Sequence, residues 1–147
     1  KRYANLELPQ KLLLVDDEEE FVHNLSERLQ TRNLEPVVAH DGEAALSIVE
    51  NDAPEVMVLD LKMPGIDGLE VLRRVKGEHP DTEVIILTGY GSEANKAAAE
   101  KLGAFAILDK PVDINVLAQT MKSAYAKLAK KRQADEEEAT PGGQAPD

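Results

Sequence analysis

At 147 residues the chain is long enough for one domain with a real core and short for two. It has no cysteine, which excludes a disulfide framework and a thiolate metal site and fits a reducing compartment. Its net charge of −11 disfavours nucleic-acid phosphate as a direct partner.

The chain opens on "KRYANLELPQ", which lacks the apolar stretch of a signal peptide, and no later run reaches membrane-spanning length. We therefore expect a cytoplasmic protein without a membrane partner, with residues 1–9 an N-terminal extension. "KLLLV" (11–15) is the first of five short apolar runs, and it drives straight into the acid block "DDEEE" (16–20). Phe21, Val22, Leu25 and Leu29 then share one helical face. "PVVA" (36–39) contains Pro36, which cannot donate to a ladder and so belongs at a sheet edge. Asp41 is placed to cap the helix "DGEAALSIVEN".

"VMVLDL" (56–61) leads into the turn-forming "KMPGIDG", and Leu69, Leu72 and Val75 mark the next helical face. "VIILT" (84–88) precedes "SEANKAAAEKLG", which starts on Ser92 and ends on Gly103. Its face is mostly alanine, so it is expected to pack lightly. "FAIL" (105–108) is the last run, and Asp113 begins "DINVLAQTMKSAYAKL". The basic "KLAKKR" at 127–132 complements the dipole at the end of that helix. His23, His40 and His79 fall in polar parts of the pattern and read as surface residues.

Three of the runs are nearly continuous, as expected of strands buried on both faces of a parallel sheet. Five strand–helix alternations predict one doubly wound α/β domain over residues 10–130. The last 13 residues hold five acids and no base among Pro and Gly, so 131–147 is expected to be a disordered tail or linker. Ile114, Leu117, Met121, Ala124 and Leu128 follow the 3-4-3-4 spacing of paired helices, which would suit a homodimer, although the same stripe is needed to cover the sheet.

In such a sheet, ligands bind beyond the carboxyl ends of the strands. Asp16 and Asp17 leave the first strand there, Asp60 leaves the third, Thr88 ends the fourth and Lys110 follows the fifth. Three converging carboxylates repel unless one is protonated or a cation neutralises them. Their all-oxygen character suits a hard divalent ion such as Mg²⁺. With a mobile ammonium and a hydroxyl added, the set suits an aspartate that accepts a phosphoryl group.

"LLLVDDE", "VLDLKMPGIDG", "ILTGYGS" and "GAFAILDKP", in this order and spacing, resemble the receiver domain of bacterial two-component response regulators. The resemblance implies the flavodoxin-like strand order 2-1-3-4-5 and a signalling phosphoacceptor rather than an enzyme. By it, Asp60 takes a phosphoryl group from a sensor histidine kinase or phosphotransfer protein, for delivery of a signal to a downstream protein target. It implies Mg²⁺ on Asp16, Asp17, Asp60 and the Lys62 backbone carbonyl, with Asp17 a direct ligand and Asp16 acting through water. Lys110 would pair with the phosphoryl oxygens, Thr88 would receive one of them on switching, and the Lys110–Pro111 bond would be cis.

Two departures from the family pattern stand out. Ile107 occupies the place where the fifth strand usually carries an aromatic ring, so switching is expected to rely on the loop after Thr88. Lys62 and Tyr90 are large residues flanking the approach of a hydrolytic water, which suggests slow self-dephosphorylation. Two other functions compete for these residues. A hydrolase of the haloacid dehalogenase class needs a second acid two residues after the nucleophile, where Lys62 stands; a docking-only pseudo-receiver would not need every site residue. "GYGSEA" (89–94) matches a dinucleotide fingerprint, but it follows the fourth strand rather than the first.

Overall fold

A computed structural model describes residues 8–89 and 91–139. Five strands form one parallel sheet, β1 (Leu12–Val15), β2 (Pro36–Ala39), β3 (Val56–Leu59), β4 (Glu83–Thr88) and β5 (Ala106–Asp109). Their order across the sheet is β2-β1-β3-β4-β5. The helices between and after them are α1 (Glu19–Gln30), α2 (Gly42–Asn51), α3 (Gly68–Glu78), α4 (Glu93–Lys101) and α5 (Ile114–Ala139). Among the described residues no helix is long and apolar enough to cross a membrane.

The near-continuous apolar runs are the three inner strands, buried along their whole length. Alternate side chains of each serve opposite faces. Leu12, Leu14, Val56, Val58, Ile85 and Leu87 pack beneath α1 and α5, while Leu13, Val15, Met57, Leu59, Val84 and Ile86 pack beneath α2, α3 and α4. The outer strands β2 and β5 are only partly covered, and Pro36 lies on the edge strand as expected.

Side-chain oxygens accept backbone N–H groups at the starts of α2, α3, α4 and α5, whereas the N-cap residue of α1 makes no such bond. The carboxylates of Asp41 and Asp67 accept from the backbone N–H of Ala44 and Glu70, at 2.8 and 3.0 Å, and the Ser92 hydroxyl accepts from Asn95 at 3.1 Å. Asp113 accepts from Asn115 at 2.7 Å at the start of α5. Of the histidines, His23 and His40 are exposed, but His79 closes α3 and is partly buried.

The C-terminal end differs from expectation. α5 continues through Ala139, across the first half of the segment expected to be disordered, and residues 140–147 lie outside the described residues. The Lys, Arg, Gln, Ala and Glu residues there are good helix formers, Asp135 lies one turn from Lys131, and two bases anchor the helix. Lys131 Nζ donates to Asp81 Oδ1 at 2.5 Å and Arg132 to Glu55 Oε2 at 2.7 Å. The apolar stripe from Ile114 to Leu128 is buried against the sheet, so it is not the pairing seam that its spacing would suit.

Candidate functional site

The sheet ladder itself carries the site residues to one rim. Asp16 N–H donates to the Ala39 carbonyl at 3.1 Å, Asp60 N–H to Val15 at 3.1 Å and Lys110 N–H to Thr88 at 3.0 Å, so each is held one step beyond a strand. One oxygen from each of Asp16, Asp17 and Asp60 can be chosen so that all three lie within 4.8 Å of one another. Asp16 and Asp60 are buried, each 4% exposed; Asp17 is exposed; Thr88 is fully buried at the end of β4.

The loop after β3 is braced against this rim. Gly65 adopts a positive φ of 76°, the turn that "KMPGIDG" was expected to need. Gly68 N–H donates to the Leu61 carbonyl at 2.9 Å, and a Cβ on Gly68 would come within 2.2 Å of the Asp60 carbonyl oxygen. Only glycine allows α3 to start this close to Asp60. Lys62 is exposed, and its N–H points at Asp60 Oδ1 from 3.4 Å. The Lys110–Pro111 bond is cis.

Lys110 reaches back over the rim. Its Nζ lies 2.8 Å from Asp16 Oδ2, 2.8 Å from Glu18 Oε1 and 3.6 Å from Asp60 Oδ2. The Phe21 ring lies against the same ammonium, with its centroid 4.3 Å from Nζ. Burial disfavours the lysine's charge, but the hydrogen bonds to Asp16 and Glu18 outweigh it and push its pKa up to about 12. Burial also raises the Asp16 pKa, against the pull of Lys110 and the Glu18 N–H. That N–H donates to Asp16 Oδ1 at 2.9 Å, so both Asp16 oxygens have partners within the protein.

All of Asp16, Asp17, Asp60, Thr88 and Lys110 thus meet at one rim. Two members of the site were not picked out from the sequence as such. Glu18 reads there as one more acid in a helix's first turn, and Phe21 as part of the core face of α1. Ile107 is partly buried and packs with the cluster beneath α2, α3 and α4. Tyr90 lies outside the described residues.

Residues 12–122 match the family model described as the response regulator receiver domain. Over 115 residues the chain is 36% identical to the photosynthetic apparatus regulatory protein RegA of Rhodobacter capsulatus, covering 78% of this chain and 62% of that protein. It is 34% identical over 113 residues to sporulation initiation phosphotransferase F of Bacillus subtilis, covering 77% of this chain and 91% of that one. A receiver domain from Clostridium thermocellum superposes with a TM-score of 0.76 at 33% identity, covering 80% of this chain and 95% of the other. With the RegA protein of Rhodovulum sulfidophilum the chain spans 57% of the relative's length, so it corresponds to little more than half of these two regulators.

Proposed function

The chain belongs to the response regulator receiver domain family, the phosphoacceptor signalling domains of two-component systems, and we propose that Asp60 takes the phosphoryl group here. The observation that carries this assignment is a buried carboxylate at the end of β3 with an ammonium 3.6 Å away and two further carboxylates beside it.

An Asp60 carboxylate oxygen attacks the phosphorus of a phosphohistidine on a sensor kinase or phosphotransfer protein. The new O–P bond forms as the N–P bond breaks, and its electron pair stays on the imidazole nitrogen. Lys110 offers positive charge to the phosphoryl oxygens, and the Thr88 hydroxyl donates to one of them on switching. The missing side chain of Gly68 lets α3 start directly against the Asp60 carbonyl.

The donor set fits Mg²⁺: hard oxygens, two of them on buried residues, with a surplus of negative charge. Asp17, Asp60 and the Lys62 carbonyl would hold the ion directly. Asp16, with both oxygens engaged, would act through water. When bound, Mg²⁺ neutralises the carboxylates and draws charge from the incoming phosphoryl oxygens.

Lys62 is exposed and follows Asp60 by two residues, the place where a phosphate-ester hydrolase of the rival class needs an acid, and by the family pattern it flanks the approach of water. The phosphoryl group is therefore long-lived, and its output is a partner-binding change. Acetyl phosphate with Mg²⁺ should add one phosphoryl group, stable in acid and lost in base, by intact mass. Asp60→Asn should abolish it and Asp17→Asn should cripple it. Full labelling of Asp60→Asn would remove the assignment, and steady turnover of phosphate esters would favour the hydrolase.

A further inference from the structure

Lys110 donates to Glu18 at 2.8 Å but stands 3.6 Å from Asp60. Glu18 is the N-cap residue of α1, yet its side chain makes no capping hydrogen bond; the carboxylate goes to Lys110 instead. Phe21, one turn further on, lies against the same ammonium. The first turn of α1 therefore holds Lys110 through two of its side chains.

We propose that Glu18 is a positioning residue that competes with the phosphoryl group for Lys110 and so sets how readily this receiver accepts anionic donors. The inference rests on Asp60 being the acceptor. In the resting chain Asp16, Glu18 and Asp60 share the ammonium of Lys110, and Asp17 adds a further carboxylate beside Asp16 and Asp60. A dianionic donor entering this rim meets like charge and a lysine already engaged. For Lys110 to serve the phosphoryl oxygens, it must release Glu18. The Glu18 side chain is 54% exposed, so the released carboxylate is rehydrated and the exchange is cheap. Asp16 has a different standing: it is buried and also accepts the Glu18 N–H, so it holds its contact to Lys110.

Glu18→Gln removes the charge and keeps the shape. With acetyl phosphate and Mg²⁺ at low salt, the half-saturating donor concentration should fall roughly threefold to tenfold. The rate at saturating donor should change little, because the groups that touch the reacting atoms are untouched. Beryllofluoride, titrated by amide shifts, should bind tighter by a similar factor, which is a readout independent of turnover. High salt should shrink both differences. Glu19→Gln, the adjacent acid in α1, controls for general charge and should move neither value by more than about a third of that effect. The melting temperature should stay within about 2 °C, as expected for an exposed pair.

Labelling and beryllofluoride affinity unchanged in Glu18→Gln would overturn the role of Glu18 while leaving Asp60 as acceptor. An equal effect from Glu19→Gln would reduce it to bulk charge and overturn it also. Absence of any Asp60-dependent labelling in the unaltered chain would instead remove the acceptor assignment on which the proposal stands.

Discussion

The two ends of the sheet both bury charge, and they do it in opposite ways. At the amino ends of the strands, Glu55 accepts the backbone N–H groups of Gln10 and Lys11 at 2.7 and 3.2 Å and the guanidinium of Arg132 at 2.7 Å. Glu83 has Lys127 at 3.6 Å and Lys76 at 3.9 Å, and Asp81 has Lys131. These three acids are met by four bases. At the carboxyl ends, Asp16, Glu18 and Asp60 share Lys110, and Asp17 stands beside the two aspartates. A matched set holds the fold together, whereas an unmatched one leaves room for an incoming cation and a phosphoryl group. The balance of buried charge, more than its presence, separates scaffold from site.

That contrast predicts opposite signs for acid removal. Glu55→Ala should cost about 3 kcal/mol in urea unfolding, because it strips Arg132 and two backbone donors at once. Phosphoryl labelling of the variant should persist under conditions where it is folded. Equal stability of the variant would mean that the lower end is not held by its charges.

A smaller shift in the other direction is expected at the rim. Asp60→Asn should stabilise the metal-free chain by about 1 kcal/mol, since Lys110 keeps Asp16 and Glu18 while one source of repulsion disappears. Mg²⁺ should narrow the gap by stabilising the unaltered chain more than the variant, in proportion to ligand occupancy. A metal-free variant less stable than its parent would break the comparison.

The smallest effect concerns movement. Thr88 packs near Gly91, and Lys96 passes the same glycine before pairing with Asp109 at 2.9 Å. Only Ala99 of α4 is buried, so α4 is held by little beyond that pair. Beryllofluoride should shift amide signals most in the described residues between 88 and 102. Thr88→Ala should remove those shifts, and Ile107→Ala should leave most of them. If Ile107→Ala erases them as fully, the signal runs through β5.

Much of this was legible before any coordinates. A strand buried on both faces needs an unbroken apolar run, so its end is visible in the sequence, and Asp16, Asp60 and Thr88 stand at such ends. Pro36 marked the edge by its missing donor, and the caps at Asp41, Ser92 and Asp113 followed from local chemistry. Glu18 was not legible, because its partner lies 92 positions away and only the return of the chain over the rim brings them together. Phe21 was hidden for a similar reason, its helical spacing being equally that of a core residue. The extension of α5 was obscured because acids suited to a solvated tail are also good helix formers, and because Asp81 and Glu55, which fix Lys131 and Arg132, are remote in sequence.

Those anchors give α5 a property of its own. The helix starts four residues after Lys110 and runs 26 residues, roughly 39 Å at 1.5 Å per residue, to the opposite end of the sheet. Pinned at Asp81, Glu83 and Glu55, its far end works as a fixed datum, while α4 beside the rim is the loosely seated part. Because the chain has no cysteine, a thiol introduced at Gln133 and another at Glu100 would be its only two. The distance between them becomes a gauge whose one terminal stays still, so a change in its reading is α4 moving.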